Sequence, residues 1–175
     1  FNSNDLVQLD SNHEIIVENI EDIQEPSDSK ILLDVINKNL LDGKYENALT
    51  LSKKGIKKYR IHDFYFFAGR SLLKLQKFDD SKKMLIKAIS LDPENHLYYN
   101  ALGFLFSITG NSEKALAAYQ MSLDRKNENP YALYNMGIEY INLFELEVGS
   151  KKLIKAGNIY LKQGNLNKVM LVINE

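Results

Sequence analysis

Residues 97–106 read LYYNALGFLF. A helix at the surface of a globular domain carries one apolar stripe and one polar face, yet this stretch has only Asn100 to offer water. Spacing separates its residues into two groups. Tyr99, Leu102, Gly103 and Phe106 stand at i, i+3, i+4 and i+7, which is one helical face. Successive residues turn by about 100°, so Leu97, Ala101, Phe104 and Ile108 fall on the opposite side, with Asn100 beside them. One helix with two apolar faces needs two different coverings.

The first face recurs along the chain. Gly69, Gly103 and Gly137 are 34 residues apart, and Tyr65, Tyr99 and Leu133 keep the same step, as do Leu72, Phe106 and Tyr140. A second set follows about twelve residues later: Ser81, Ala115 and Gly149, then Leu85, Tyr119 and Leu153, then Ala88, Ser122 and Ala156. Each period reads as two amphipathic helices joined by a tight turn. In "TGNS" (109–112) Gly110 supplies the residue free to take positive φ. Small residues at the inner positions let the two backbones of a pair approach, and aromatic side chains fill the space around them.

Tyr99-x2-Leu102-Gly103-x2-Phe106 followed by Ala115-x3-Tyr119 resembles the 34-residue motif of the tetratricopeptide repeat family. Its neighbours read Tyr65-x2-Ala68-Gly69-x2-Leu72 and Leu133-x2-Met136-Gly137-x2-Tyr140. A degenerate copy, one residue short, runs through Leu32, Val35, Ile36, Gly43, Ala48 and Gly55. The resemblance implies an all-α fold, a right-handed α-solenoid of about four helix pairs with a C-terminal helix. The pairs fall at 29–61, 62–95, 96–129 and 130–163, after a leader over 1–28 that reads as a linker or one extra helix. Residues 164–175 read as the terminal helix, but "VMLVI" (169–173) lacks the polar outer face that closes such stacks. The expectation is a stack cut before its natural end; the alternative is a helix that meets a second copy of the chain.

The resemblance also implies a function: a non-catalytic scaffold or adaptor whose first helices line a concave groove that holds a protein segment. Carried onto this sequence, the groove begins with Asn37 on the first pair, beside Lys30, Asp34 and Leu41. On the second it has Arg70 and Lys74, beside Asp63 and Phe67, with Phe66 adjacent. On the third it has Leu97, Ala101 and Phe104, with Asn100 adjacent, and on the fourth Tyr131, Asn135, Ile138 and Asn142, with Tyr134 adjacent. Arg70 and Lys74, at i and i+4, can share one carboxylate, and the asparagines can hydrogen-bond an extended backbone. A partner with an acidic end and apolar anchors fits this set. The clamp of Lys and Asn by which chaperone-binding members hold a carboxylate is not matched: Phe66 and Arg70 stand where Lys and Asn belong.

Charge is uneven. Residues 1–29 hold eight acidic residues and no Lys or Arg, although the chain as a whole has 22 basic and 23 acidic residues. The segment SNHEIIVENIEDIQEPSD (11–28) mixes carboxylates with Ile16, Ile20 and Ile23 on one helical face, and is itself of the kind the groove would hold. The basic residues look scattered rather than clustered, which disfavours nucleic acid; binding of nucleic acid or an anionic surface is the second reading, carried by Lys53, Lys54, Lys57 and Lys58. Cysteine is absent, so thiolate chemistry and Cys-type zinc sites are excluded. No apolar run approaches membrane-spanning length. His13, His62 and His96 have no third ligand at metal spacing, and no phosphate loop or nucleophile turn accompanies them. No cofactor, metal or catalytic residue is expected.

Overall fold

A computed structural model of the chain describes residues 26–173, together with Gln8–Leu9 and Ile15–Ile16. Most of the leader, and with it the seating of residues 11–28 in the groove, lies outside the described residues. β1 (Gln8–Leu9) and β2 (Ile15–Ile16) pair antiparallel, with Gln8 opposite Ile16. Helices follow: α1 (Pro26–Leu41), α2 (Tyr45–Tyr59), α3 (His62–Lys74), α4 (Phe78–Leu91), α5 (His96–Ile108), α6 (Ser112–Arg125), α7 (Pro130–Asn142), α8 (Leu146–Lys162) and α9 (Leu166–Ile173). The described residues therefore form an α-solenoid of four helix pairs and a terminal helix. α1 begins slightly ahead of the expected boundary, because Pro26 suits a first helical turn and Asp28 complements the helix dipole there.

Local chemistry sets where helices start. Asn95, Asn111, Asn129 and Asn165 each accept a hydrogen bond through Oδ1 from a backbone N–H in the first turn of the helix that follows. Pro130 occupies the first turn of α7, where its missing N–H costs nothing. Within pairs, the turn requires one left-handed residue: Gly43 (φ 76°), Gln76 (58°), Gly110 (75°) and Phe144 (63°). Glycine fills two of these places without steric cost, while Gln76 and Phe144 bear it.

The repeat glycines decide how closely each pair packs. A Cβ on Gly103 would stand 2.6 Å from the Tyr119 ring; on Gly69, 2.8 Å from Leu85; on Gly137, 2.9 Å from Leu153. Leu85, Tyr119 and Leu153 are buried as a result. Ser81 adds a hydrogen bond across one pair, from Oγ to the Gly69 carbonyl at 2.7 Å. The core is a chain of clusters: Leu32, Ile36 and Phe64, with Leu49, Ala68 and Leu72 beside them; then Phe66, Leu85 and Tyr98; then Tyr119, Leu133, Met136 and Tyr160.

First helices pack against one another in order, α1 on α3, α3 on α5 and α5 on α7, and no comparable contact joins the second helices among the described residues. The closer row lies on the inside of the curve. α1, α3, α5 and α7 therefore form the inner layer, and α2, α4, α6 and α8 the outer.

Two substitutions test this account. Gly103→Ala forces a methyl into the Tyr119 ring and is expected to lower unfolding stability by about 1–3 kcal/mol. Phe144→Gly relieves a left-handed conformation costing about 1–2 kcal/mol, which outweighs the roughly 0.5–1 kcal/mol of added chain entropy. Its urea midpoint should rise slightly, whereas Gly110→Ala, at the equivalent turn, should lower the midpoint.

Candidate functional site

The inner layer presents the residues expected to form the groove. Successive first helices start at His62, His96 and Pro130, so residues 34 apart stand in rows. The row of Leu97 and Tyr131 is exposed, as is the row of Lys74, Ile108 and Asn142. Phe104, 37% exposed, lies between half-buried Arg70 and half-buried Ile138. Ala101 and Asn135 are half-buried beside them, and Asn37 is half-buried on α1.

One expected row is placed differently. Phe66 and Asn100 meet the next repeat, and Tyr134 packs into the cluster of its own helix pair. Phe66 is buried, its ring centroid 4.8 Å from that of Tyr98 on α5; as a groove anchor it is corrected to a core residue, because Tyr98 covers it. Tyr134 packs half-buried against the cluster of Leu133, Met136 and Tyr160. Asn100 accepts a hydrogen bond through Oδ1 from Asn135 Nδ2 at 3.1 Å, bridging α5 and α7. Among the described residues the Asn100 amide nitrogen and the Asn135 carbonyl oxygen have no other partner, which sets donor beside acceptor.

The cationic end has a definite geometry. The Arg70 guanidinium stands 5.5 Å from the Phe66 ring centroid and 5.9 Å from that of Phe67. Burial pushes the Arg70 pKa down from its ordinary value, and no carboxylate pairs with it among the described residues. The rings hold the guanidinium in place while its outer N–H groups find no acceptor among the described residues. At the other end the Tyr131 ring, 45% exposed, meets Tyr160 edge-on at 5.8 Å, with the Lys168 ammonium 5.7 Å away.

Between these ends lie polar contacts that the sequence reading did not find, all spanning neighbouring repeats. Tyr98 Oη donates to Asp63 Oδ1 and meets His62 Nδ1, each at 2.6 Å. Burial first, and the Asp63 hydrogen bond next, push the Tyr98 hydroxyl pKa far up. Ser107 Oγ donates to the buried carboxylate of Glu139. Glu139 follows Ala132 and Met136 at i+7 and i+3, so its place on the α7 core stripe was the available signal. His62 and His96 open successive pairs but join no group of three metal-ligating side chains among the described residues.

A tight inner-glycine contact repeated every 34 residues, with a chain of core clusters, is the packing of one repeat family, and comparison with known proteins agrees. Profiles described as tetratricopeptide repeat match residues 62–95 and 84–117. The chain is a tetratricopeptide repeat protein. It is 33% identical over 95 residues to the small glutamine-rich tetratricopeptide repeat-containing protein 2 of Saccharomyces cerevisiae, covering 53% of this chain and 27% of that one. It is 27% identical over 165 residues to the TPR repeat-containing protein MJ1428 of Methanocaldococcus jannaschii, covering 91% of this chain and 29% of that one. The chain thus spans under a third of these curated relatives. The thermophilic TPR protein TTC0263 of Thermus thermophilus shares the fold at a TM-score of 0.68 and 17% identity, over 82% of this chain and 87% of that one.

The junction between the last two tetratricopeptide pairs should make stability depend on pH. Asn129 Nδ2 lies 3.0 Å from His96 Nδ1, and 2.9 Å from the Ser122 oxygen that in turn donates to the His96 carbonyl. An amide nitrogen only donates, so His96 accepts and is neutral. Burial, with Lys126 second, lowers its pKa below the ordinary 6.5. The unfolded chain then binds more protons than the folded one, so stability falls as pH drops through about 6.5 and levels off below the folded pKa. Urea midpoints between pH 7.5 and 5 should decline more steeply for the native protein than for His96→Gln; parallel curves would exclude this contribution.

Proposed function

We propose that this protein is a non-catalytic interaction scaffold that holds an extended segment of a partner protein along its inner layer. The observation that carries the reading is one continuous surface in which the exposed rings of Phe104 and Tyr131 follow a guanidinium, Arg70, that has no carboxylate of its own among the described residues. Such an arrangement is incomplete as a fold feature, since two large aromatics gain nothing from water and an aromatic-backed Arg suits a carboxylate. Leu97 and Ile108 extend the apolar half, and Lys74 extends the cationic half. The Asn100–Asn135 pair, with one donor and one acceptor unspent, matches the N–H and C=O of a single peptide unit. The segment that fits carries an acidic residue near Arg70 and Lys74 and apolar residues toward α7.

Each apolar anchor contributes about 1.5–3 kcal/mol before the cost of association, which corresponds to micromolar recognition. Selection from a random peptide library should enrich sequences with one or two acidic residues a few positions from an aliphatic or aromatic one. Calorimetric affinities for the selected peptides should fall about tenfold or more in Phe104→Ala and in Tyr131→Ala. Arg70→Gln should weaken only the peptides that contain the acidic residue. Peptides that bind all three variants as tightly as the native protein would rule out the inner layer as the binding surface.

A further inference from the structure

Charge in this solenoid is sorted by layer, which composition conceals. The outer helices α2, α4, α6 and α8 hold thirteen Lys and Arg against six Asp and Glu, whereas α1, α3, α5 and α7 hold four of each. The basic residues that look scattered in sequence therefore collect on one side of the molecule. On α2 the excess is densest: Lys53, Lys54, Lys57 and Lys58 are all exposed, and none has an ion-pair partner among the described residues. Aliphatic side chains are exposed among the outer lysines as well, Ile86 beside Lys87 and Ile154 beside Lys155.

The leader has the opposite chemistry. Glu14, Glu18, Glu21, Asp22 and Glu25 alternate with Ile15, Ile16, Ile20 and Ile23, and no cation interrupts them. It joins the fold at Pro26, where α1 begins. α1 and α2 are antiparallel neighbours, so that point lies beside the end of α2 that carries Lys57 and Lys58. Tyr59, the last residue of α2, packs against the cluster of Leu32 and Ile36 on α1, so the two helices adjoin there.

We propose that the acidic leader, through residues 17–25, docks on the lysine face of α2 on the outer layer, leaving the inner groove to a partner. One physical argument favours this occupant over a free polyanion: a segment joined directly to the surface meets it at an effective concentration of order millimolar. The groove offers the leader fewer cations, Lys30 on α1 and Arg70 and Lys74 on α3, than the four lysines within six residues of α2. This inference concerns a surface separate from the groove and stands or falls independently of it.

Zero-length carbodiimide coupling of the full chain, mapped by mass spectrometry on a mixture of 14N- and 15N-labelled protein, tests it. The expected result is coupling of Glu18, Glu21, Asp22 or Glu25 to Lys53, Lys54, Lys57 or Lys58 within one chain. Coupling should fall about tenfold near 0.5 M salt, where the screening length drops to a few ångströms. Coupling mainly to Lys30 or Lys74, mainly between copies, or unchanged by salt would overturn the proposal. A second measurement leaves the helices untouched. Neutralising Glu18, Glu21, Asp22 and Glu25 to Gln or Asn should speed acetylation of the four α2 lysines severalfold, while Lys151 and Lys155 on α8 react as before. Equal rates at α2 in both proteins would refute leader docking even if the groove binds its peptide.

Discussion

The close approach of two helix backbones at Gly69, Gly103 and Gly137 is the constraint on which the rest of this structure depends. Each glycine leaves a gap that one large side chain of the following helix occupies: Leu85, Tyr119 or Leu153. Because an added Cβ would fall well inside contact distance, the helices of a pair can sit together only if that position stays bare. Pair geometry is then the same three times over, and identical pairs stacked in register produce rows. The rows of the inner layer exist because of this repetition, since residues 34 apart on first helices are brought side by side without any local sequence requirement of their own.

Between pairs the joints are less uniform and more polar. The junction of the second and third pairs uses Tyr98 over Phe66, with its hydroxyl on Asp63 and His62. The next uses Ser107 on Glu139, Asn135 on Asn100, and Asn129 on His96. Buried polar groups hydrogen-bonded across a joint fix register, because a slipped pair would leave each of them unsatisfied. Among the described residues no buried side-chain polar atom is left unsatisfied. These joints hold the rows of the inner layer in line, and so place Arg70, Phe104 and Tyr131 on one surface.

Legibility differed by residue for reasons that can be stated. The opening stretch resolved correctly into a core stripe through Tyr99 and Gly103 and an exposed one through Leu97 and Phe104, since helical phase alone separates those faces. Phe66, Asn100 and Tyr134 sit between the two stripes, where phase is indifferent and packing decides; of the three only Phe66 is buried. Tyr98 decides it for Phe66, and Asn135 for Asn100. The sorting of lysines to the outer layer was equally invisible, because helices that alternate in the chain are segregated only when pairs stack.

The sequence by itself determined the repeat, the helix pairs and the capped turns, because these depend on contacts between residues close along the chain or at a constant 34-residue step. Glycine spacing, asparagine caps and apolar periodicity are local physics. Only the tertiary structure decided which polar residues pair across repeats, which aromatics remain uncovered, and how charge divides between the layers. Those outcomes depend on the angle at which one pair meets the next, and that angle is set jointly by side chains more than thirty residues apart.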